Sequence, residues 1–213
     1  MSNGTFDFNE FVKESKEVLV NPKSYFSTMK TTGGIPEPLI KAVIYGAIAG
    51  AFTFLWSLLN LSGGGSSMLG GAIGIMAFIM SIISAVIGLF VGGVVLLIIS
   101  SICKGNNDFE ANVRVTAAVM VVMPISAFLG FAGGISFYLG TAVTIIVTLY
   151  SFWLLYNGLI EALKAKQDTV RILLLVFAAI VIIVTVFGAM KVNKISRTFN
   201  DDFKELMEEA PKE

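Results

Sequence analysis

Histidine is absent from this chain of 213 residues, and cysteine occurs once, at Cys103. Without an imidazole there is no His-based zinc site, no Ser–His–Asp triad and no Cys–His nucleophile, and a lone cysteine cannot close a disulfide within the chain. Charge is missing over long stretches. Ala42 to Cys103 is a run of 62 residues without Asp, Glu, Lys or Arg, and Val115–Ile160 and Ile172–Met190 are two more. Charged residues make up 14% of the chain, hydrophobic residues 55%, and the formal net charge is zero. That balance lacks the clustered Lys and Arg that bind phosphate backbones, so no nucleic-acid partner is expected, and it leaves no room for a sizeable water-soluble domain.

What the chain does have is apolar sequence in membrane-crossing lengths. A hydrocarbon core of about 30 Å takes about 20 helical residues to cross. The expected fold is therefore an all-α polytopic membrane helical bundle embedded in a lipid bilayer. Five transmembrane helices are expected near residues 39–61, 71–102, 115–129, 137–160 and 172–190. They form a transmembrane domain over 39–190, preceded by an amphipathic N-terminal segment, 1–38, and followed by an acidic helical tail, 191–213. Ser62–Ser67 and Gly130–Ser136, rich in Gly and Ser, read as flexible breaks that turn two of the long runs into hairpins. The stretch Met68–Cys103 is long for one crossing, and folding back near Gly88–Gly93 would give six spans instead.

With five spans, ten of the fifteen Lys and Arg residues fall on the N-terminal side, which places the N-terminus in the cytosol and the C-terminus outside. Lys191, Lys194 and Arg197, just beyond the last span, pull against that assignment. The first 30 residues lack the apolar core of a signal peptide, so the first span is expected to direct insertion, into a prokaryotic plasma membrane.

At the N-terminus, Phe8, Phe11, Val12, Val18 and Leu19 recur at helical spacing, and Pro22 opens a second stripe of Tyr25, Phe26 and Met29. These helices are expected along the cytosolic membrane surface, the alternative being that they pack beneath the bundle. At the other end, Ile195, Phe199, Phe203, Leu206 and Met207 keep helical spacing through the acidic tail, so the last span is expected to continue as a helix.

Gly46 and Gly50, and likewise Gly88 and Gly92, stand four apart and read as helix-packing faces; either pair could also join two copies in a homo-oligomer. Lys41 and Glu161 lie at span ends, where their heads are expected to reach the interface by snorkelling. Asn60 and Asn157 are the strongest polar residues in or beside the spans. Asn157, Thr141, Thr144, Thr148, Ser151 and Pro124 could line a polar pathway with a broken helix. The ordinary reading is an interhelical hydrogen bond for Asn157 and a packed kink at Pro124. A membrane aspartyl protease needs buried Asp residues, which the spans lack, so no enzymatic activity and no cofactor are expected.

The order of several short motifs resembles the Yip family, the Ypt/Rab-interacting membrane proteins, in its shorter prokaryotic form. They are Asn21-Pro22 followed by Tyr25-Phe26, the stretch Gly34-Ile35-Pro36-Glu37-Pro38-Leu39, Lys104-Gly105 with Phe109, Pro124, and Gly158-Leu159. The family-pattern positions are thus Pro22, Phe26, Pro36, Pro38, Lys104, Gly105 and Gly158, within roughly residues 20–190. The resemblance implies five spans, a cytosolic N-terminus, an opposite C-terminus and no known catalysis. Eukaryotic members carry an Asp-Leu-Tyr-Gly-Pro stretch and a Tyr-Gly or Gly-Tyr pair in the third span, where this chain has Thr116-Ala117-Ala118, so a Rab-linked role does not transfer. The expected function is a scaffold or adaptor for other membrane proteins or for lipid organisation. The runner-up is a small-solute or ion transporter or channel subunit.

Overall fold

The computed structural model describes residues 7–59, 61 and 70–209, with side chains over 7–59, 61 and 74–188. Asn60 and the Ser62–Ser67 break lie outside the described residues. The described chain is helical, and five of its segments are long and apolar enough to cross a membrane: Pro36–Leu58, Gly74–Ile102, Phe109–Ile135, Phe137–Ala162 and Gln167–Gly188.

Two short helices come first. α1 (Phe8–Val20) starts where the Asp7 carboxylate accepts from the Asn9 and Glu10 amides, at 2.8 and 3.3 Å. This satisfies donors that have no partner within the helix. α2 (Pro22–Thr28) starts with Pro22 in its first turn, where a missing N–H costs nothing. Both pack beneath the bundle: Phe11, Val18 and Tyr25 are buried and Phe26 is wholly enclosed. The other flank of the α1 stripe, Phe8 and Val12, stays exposed.

The first two spans form the most extensive helix pair. α3 (Pro36–Leu58) has Pro36 and Pro38 in its opening turn, and α4 (Gly70–Ile102) runs unbroken through Gly88–Gly93. A fold-back there, and with it the six-span alternative, does not occur. α4 ends in a Schellman motif: Lys104 adopts φ 57°, its N–H donates to the Ser101 carbonyl, and the Gly105 N–H donates to that of Ser100 at 2.8 Å.

The third span differs most from expectation. It starts at 109 rather than 115, because Asp108 caps α5 (Phe109–Val119) and the charges of Glu110 and Arg114 are paired within the fold. It also breaks near its middle. Pro124 cannot donate to a carbonyl four residues back and its ring crowds Met120, so the helix tightens at Met120–Val121 and restarts as α6 (Val122–Phe128). The predicted flexible stretch Gly130–Ser136 is instead mostly helical: a 3-10 turn at Leu129–Phe131 followed by α7 (Ala132–Ile135). Close approach of chain segments marks this turn: a Cβ on Gly134 would run into the Leu61 backbone, and one on Gly140 of the following helix would come within 2.6 Å of the Gly133 Cα.

α8 (Phe137–Asn157) passes into a π turn, Gly158–Ala162, and α9 (Gln167–Glu209) is a single helix of 43 residues that packs mainly on α8. The last span thus begins before 172 and continues as helix well past 190.

Candidate functional site

One end of the bundle collects the starts of α3, α5 and α9, the ends of α4 and α8, and both N-terminal helices. The loops after α4 and after the π turn are hydrogen-bonded together there: the Asn106 N–H donates to the Leu163 carbonyl at 2.7 Å and the Lys166 N–H to the Cys103 carbonyl at 2.8 Å. We call this the charged end.

Its centre is a network of three carboxylates and two cations. Lys41 Nζ lies 2.6 Å from Glu14 Oε2 and 2.8 Å from Glu37 Oε1. Glu37 presents its other oxygen, Oε2, to Arg114 Nη1 at 3.0 Å, and Arg114 Nε meets Glu110 Oε1 at 3.2 Å. Arg114 Nη2 donates to the Gly34 carbonyl at 2.9 Å, and the Gly34 N–H donates back to Glu110. The side chains of Lys41 and Arg114 are only 10% and 6% exposed, so Lys41 does not snorkel as expected. Taking such charges out of water is costly, and the multiple short contacts offset that cost.

Local sequence builds this geometry. Glu37 and Lys41, and Glu110 and Arg114, are each four apart and so share a helix face. The turn between α2 and α3 brings its backbone to the guanidinium through Gly33 and Gly34, at φ 131° and 92°, and a Cβ on Gly33 would sit 2.8 Å from Arg114 Nη2. α1 is fixed by more than Glu14. Phe11 packs against Tyr45 with ring centroids 5.1 Å apart. The Ser15 hydroxyl donates to the Phe11 carbonyl, so the hydrogen bond between Ser15 and Tyr45, at 2.8 Å, has the tyrosine as donor. Tyr150 of α8 donates to the Leu19 carbonyl. Outside the spans, burial pushes the Tyr25 phenol well above its ordinary pKa, with the charges of Glu14 and Glu37 adding to the effect. Burial also pushes the Cys103 thiol up.

The seven family-pattern positions all lie at this end. Pro22 and Phe26 belong to α2, Pro36 and Pro38 open α3, and Lys104 and Gly105 close α4. Gly158 starts the π turn, where a Cβ would come 2.6 Å from Val115 and 3.5 Å from Phe26.

The chain matches the model of the Yip1 domain over residues 16–190. It belongs to the Yip1-domain family. No curated protein and no solved structure matches it. The match reaches into α1, so in this Yip1-domain protein the family region takes in the last turns of the docked N-terminal helix along with the spans.

The other sequence candidates fall elsewhere. Gly46 and Gly50 face α4, where added Cβ atoms would meet Ala85 at 2.7 Å and Phe78 at 3.0 Å. Gly92 faces Thr116 and Gly93 is pressed against Val113, both of α5, but Gly88 has open space around it. Thr148 and Ser151 line a groove of about 440 Å³ between α4 and α8, floored by α5 and α6. Thr144 lies outside it, exposed and donating to the Gly140 carbonyl, and Thr141 donates likewise to Phe137. Asn157 is buried and donates to the Trp153 carbonyl of its own helix at 2.8 Å, with no interhelical bond from its amide nitrogen among the described residues. The polar-pathway residues are therefore not gathered into one channel. No cluster of acidic and cysteine side chains with metal-binding geometry occurs among the described residues.

Sequence reasoning treated Arg114 only as a loop charge and left Glu14, Glu37 and Glu110 without a role. The signal available was the pair of i, i+4 carboxylate–cation spacings at the mouths of two spans.

Proposed function

We propose that this Yip1-domain protein is a non-enzymatic membrane scaffold or adaptor, and that the docked α1 and α2 present a fixed surface to other membrane proteins. The observation that carries this reading is the network at the charged end. It locks an N-terminal cap onto two spans, the first and the third, with every charged member paired, and leaves the polar face of α1, with Glu10, Lys13 and Glu17, outward. An arrangement of saturated ion pairs holds shape and leaves no group free to react. We place the charged end in the cytosol of a prokaryotic cell and the far end of α9 outside its plasma membrane, on the excess of Lys and Arg in the loops of that end.

The test is purification in mild detergent with and without an intact cap. A membrane partner recovered in fixed ratio with the wild type, and lost in Glu14→Ala/Phe11→Ala while the spans stay folded, is the expected result. Solute or ion flux in reconstituted vesicles, abolished by Thr148→Leu and Ser151→Leu, would replace it with the transporter reading. Sidedness is read with an impermeant maleimide in a Cys103→Ala background, because Cys103 is fully buried and makes a poor reporter. Lys166→Cys, exposed in the charged loop, should label only after permeabilisation.

A further inference from the structure

Three lysines at the charged end stand where local backbone rules favour other residues. Among the described residues, Lys104 and Lys164 are the two non-glycine positions with positive φ, at 57° and 54°, each just past a helix end where glycine is the usual choice. Lys166 is the N-cap of α9, since its carbonyl accepts from the Val170 N–H at 3.0 Å. Ser, Thr, Asp or Asn is favoured at an N-cap, and a cation there opposes the helix dipole. Pairing with a helix C-terminus accounts for Lys104 and Lys164 but not for Lys166.

The fold brings the three together. The hydrogen bonds between Asn106 and Leu163 and between Lys166 and Cys103 run residues 103–106 and 163–166 side by side, and a Cβ on Gly105 would sit 2.9 Å from the Leu163 carbonyl. In these segments Cys103, Leu163 and Ala165 are buried while Lys104, Lys164 and Lys166 are exposed, so the lysines share one outward surface on a tied base. Asn106 joins them: its side-chain oxygen accepts from the Asp108 N–H at 2.9 Å, which leaves the amide nitrogen as a donor. None of the three lysines is in an ion pair among the described residues. Across residues 103–108 and 163–171 the only other charges are Arg171, Asp108 and Asp168, and the Asp108 carboxylate is engaged in capping α5, so the surface is basic.

Height in the membrane selects the partner. Lys104 and Lys164 come two residues after Ile102 and Ala162, the last residues of two membrane-crossing segments, and Lys166 directly precedes Gln167, the first of another. Long cationic side chains at span ends reach the phosphate layer of the adjoining leaflet. We infer that Lys104, Lys164 and Lys166, with Asn106, bind the phosphate of an anionic phospholipid headgroup of the phosphatidylglycerol type. This inference holds whichever side of the membrane the charged end faces, and it does not rest on the scaffold reading.

The test uses the whole chain in nanodiscs of equal parts phosphatidylglycerol and phosphatidylcholine, with the lipids retained on release counted by native mass spectrometry. The wild type should retain phosphatidylglycerol over phosphatidylcholine by about fivefold or more, because each cation near an anionic surface contributes about that factor. Lys104→Gly/Lys164→Gly/Lys166→Ser puts the locally favoured residue at each position, so it should remove the preference while the melting temperature in phosphatidylcholine alone holds or rises. Arginine at all three positions should keep the preference, as should Lys23→Gln elsewhere at this end. Equal retention of the two lipids by the wild type would leave the surface to an acidic protein and overturn the inference. A preference that survives the Gly/Gly/Ser variant also overturns it, and so does a preference abolished by inorganic phosphate at constant ionic strength, which would assign the surface to a free anion. A marked fall in the melting temperature of that variant would overturn it too, by showing that the lysines serve the fold.

Discussion

The two ends of this bundle are held by different physics. At the charged end, five ionised side chains join α1, the turn before α3, α3 and α5 through contacts of 2.6 to 3.2 Å. At the opposite end, Phe52, Trp56, Phe128 and Phe131 form an aromatic cluster with ring centroids 5.2 to 6.4 Å apart, anchored by Trp56 Nε1 donating to the Ala127 carbonyl at 2.9 Å. Aromatic packing is graded, since a ring that shifts slightly keeps most of its contact. A buried ion network is not graded, because removing one member leaves charge stranded where water cannot reach it. The charged end therefore specifies one arrangement of its elements, and the aromatic end tolerates several.

Glu37→Ala should show the largest effect. Glu37 is shared by Lys41 and Arg114, and its loss should destabilise by about 2–3 kcal/mol, below the value for a fully buried pair because the Glu37 side chain is 45% exposed. Thermal unfolding in nanodiscs should register the loss, and protease should cut first in the 29–35 turn as the cap releases. A melting temperature unchanged from wild type would make the two ends alike. Gly134→Val, at the aromatic end, should cost about 2 kcal/mol by overpacking against the Leu61 backbone, without exposing the 29–35 turn to protease. Trp56→Phe keeps most of the ring stacking and loses one hydrogen bond, so about 1 kcal/mol is expected by the same unfolding measurement. Lys23→Ala removes only the exposed pair with Glu161, at 3.9 Å, and should change stability by less than about 0.5 kcal/mol, an effect that 0.5 M salt erases. If high salt also released the cap, the network would be a surface feature rather than a buried one.

Much of the architecture could be read from the chain because charge-free runs of membrane length have few other uses. The five spans follow from Ala42–Cys103, Val115–Ile160 and Ile172–Met190, and the helical spacing of Ile195, Phe199 and Phe203 announced that α9 runs on. The charged end was legible only in halves. Each i, i+4 pair is a local signal, but that Glu37 also reaches Arg114, 77 residues away, depends on how α3 and α5 pack. The same limit explains Gly88. Its spacing to Gly92 marks a helix face, and only the crossing of α4 with α5 decides that Gly92 and Gly93 are pressed by a neighbour and Gly88 is not. The groove was illegible for a related reason: Pro124 announces a break, but the direction of the bend and the void beside it are properties of three helices together.

The long reach of the ion network also fixes an order of events during synthesis. Glu14 leaves the ribosome early and folds readily into α1, but the ion network that holds α1 is complete only once α5 has entered the membrane, because Glu37 is oriented by Arg114 as well as by Lys41. Until then the cap has half its partners and must wait, tethered by a short turn, through the insertion of two complete spans. Chains grow from the N-terminus at about 5–20 residues per second, so the hundred residues between Glu14 and Arg114 represent a delay of about 5–20 s. The first helix made is thus among the last to be seated, and its docking signals that the third span is in place.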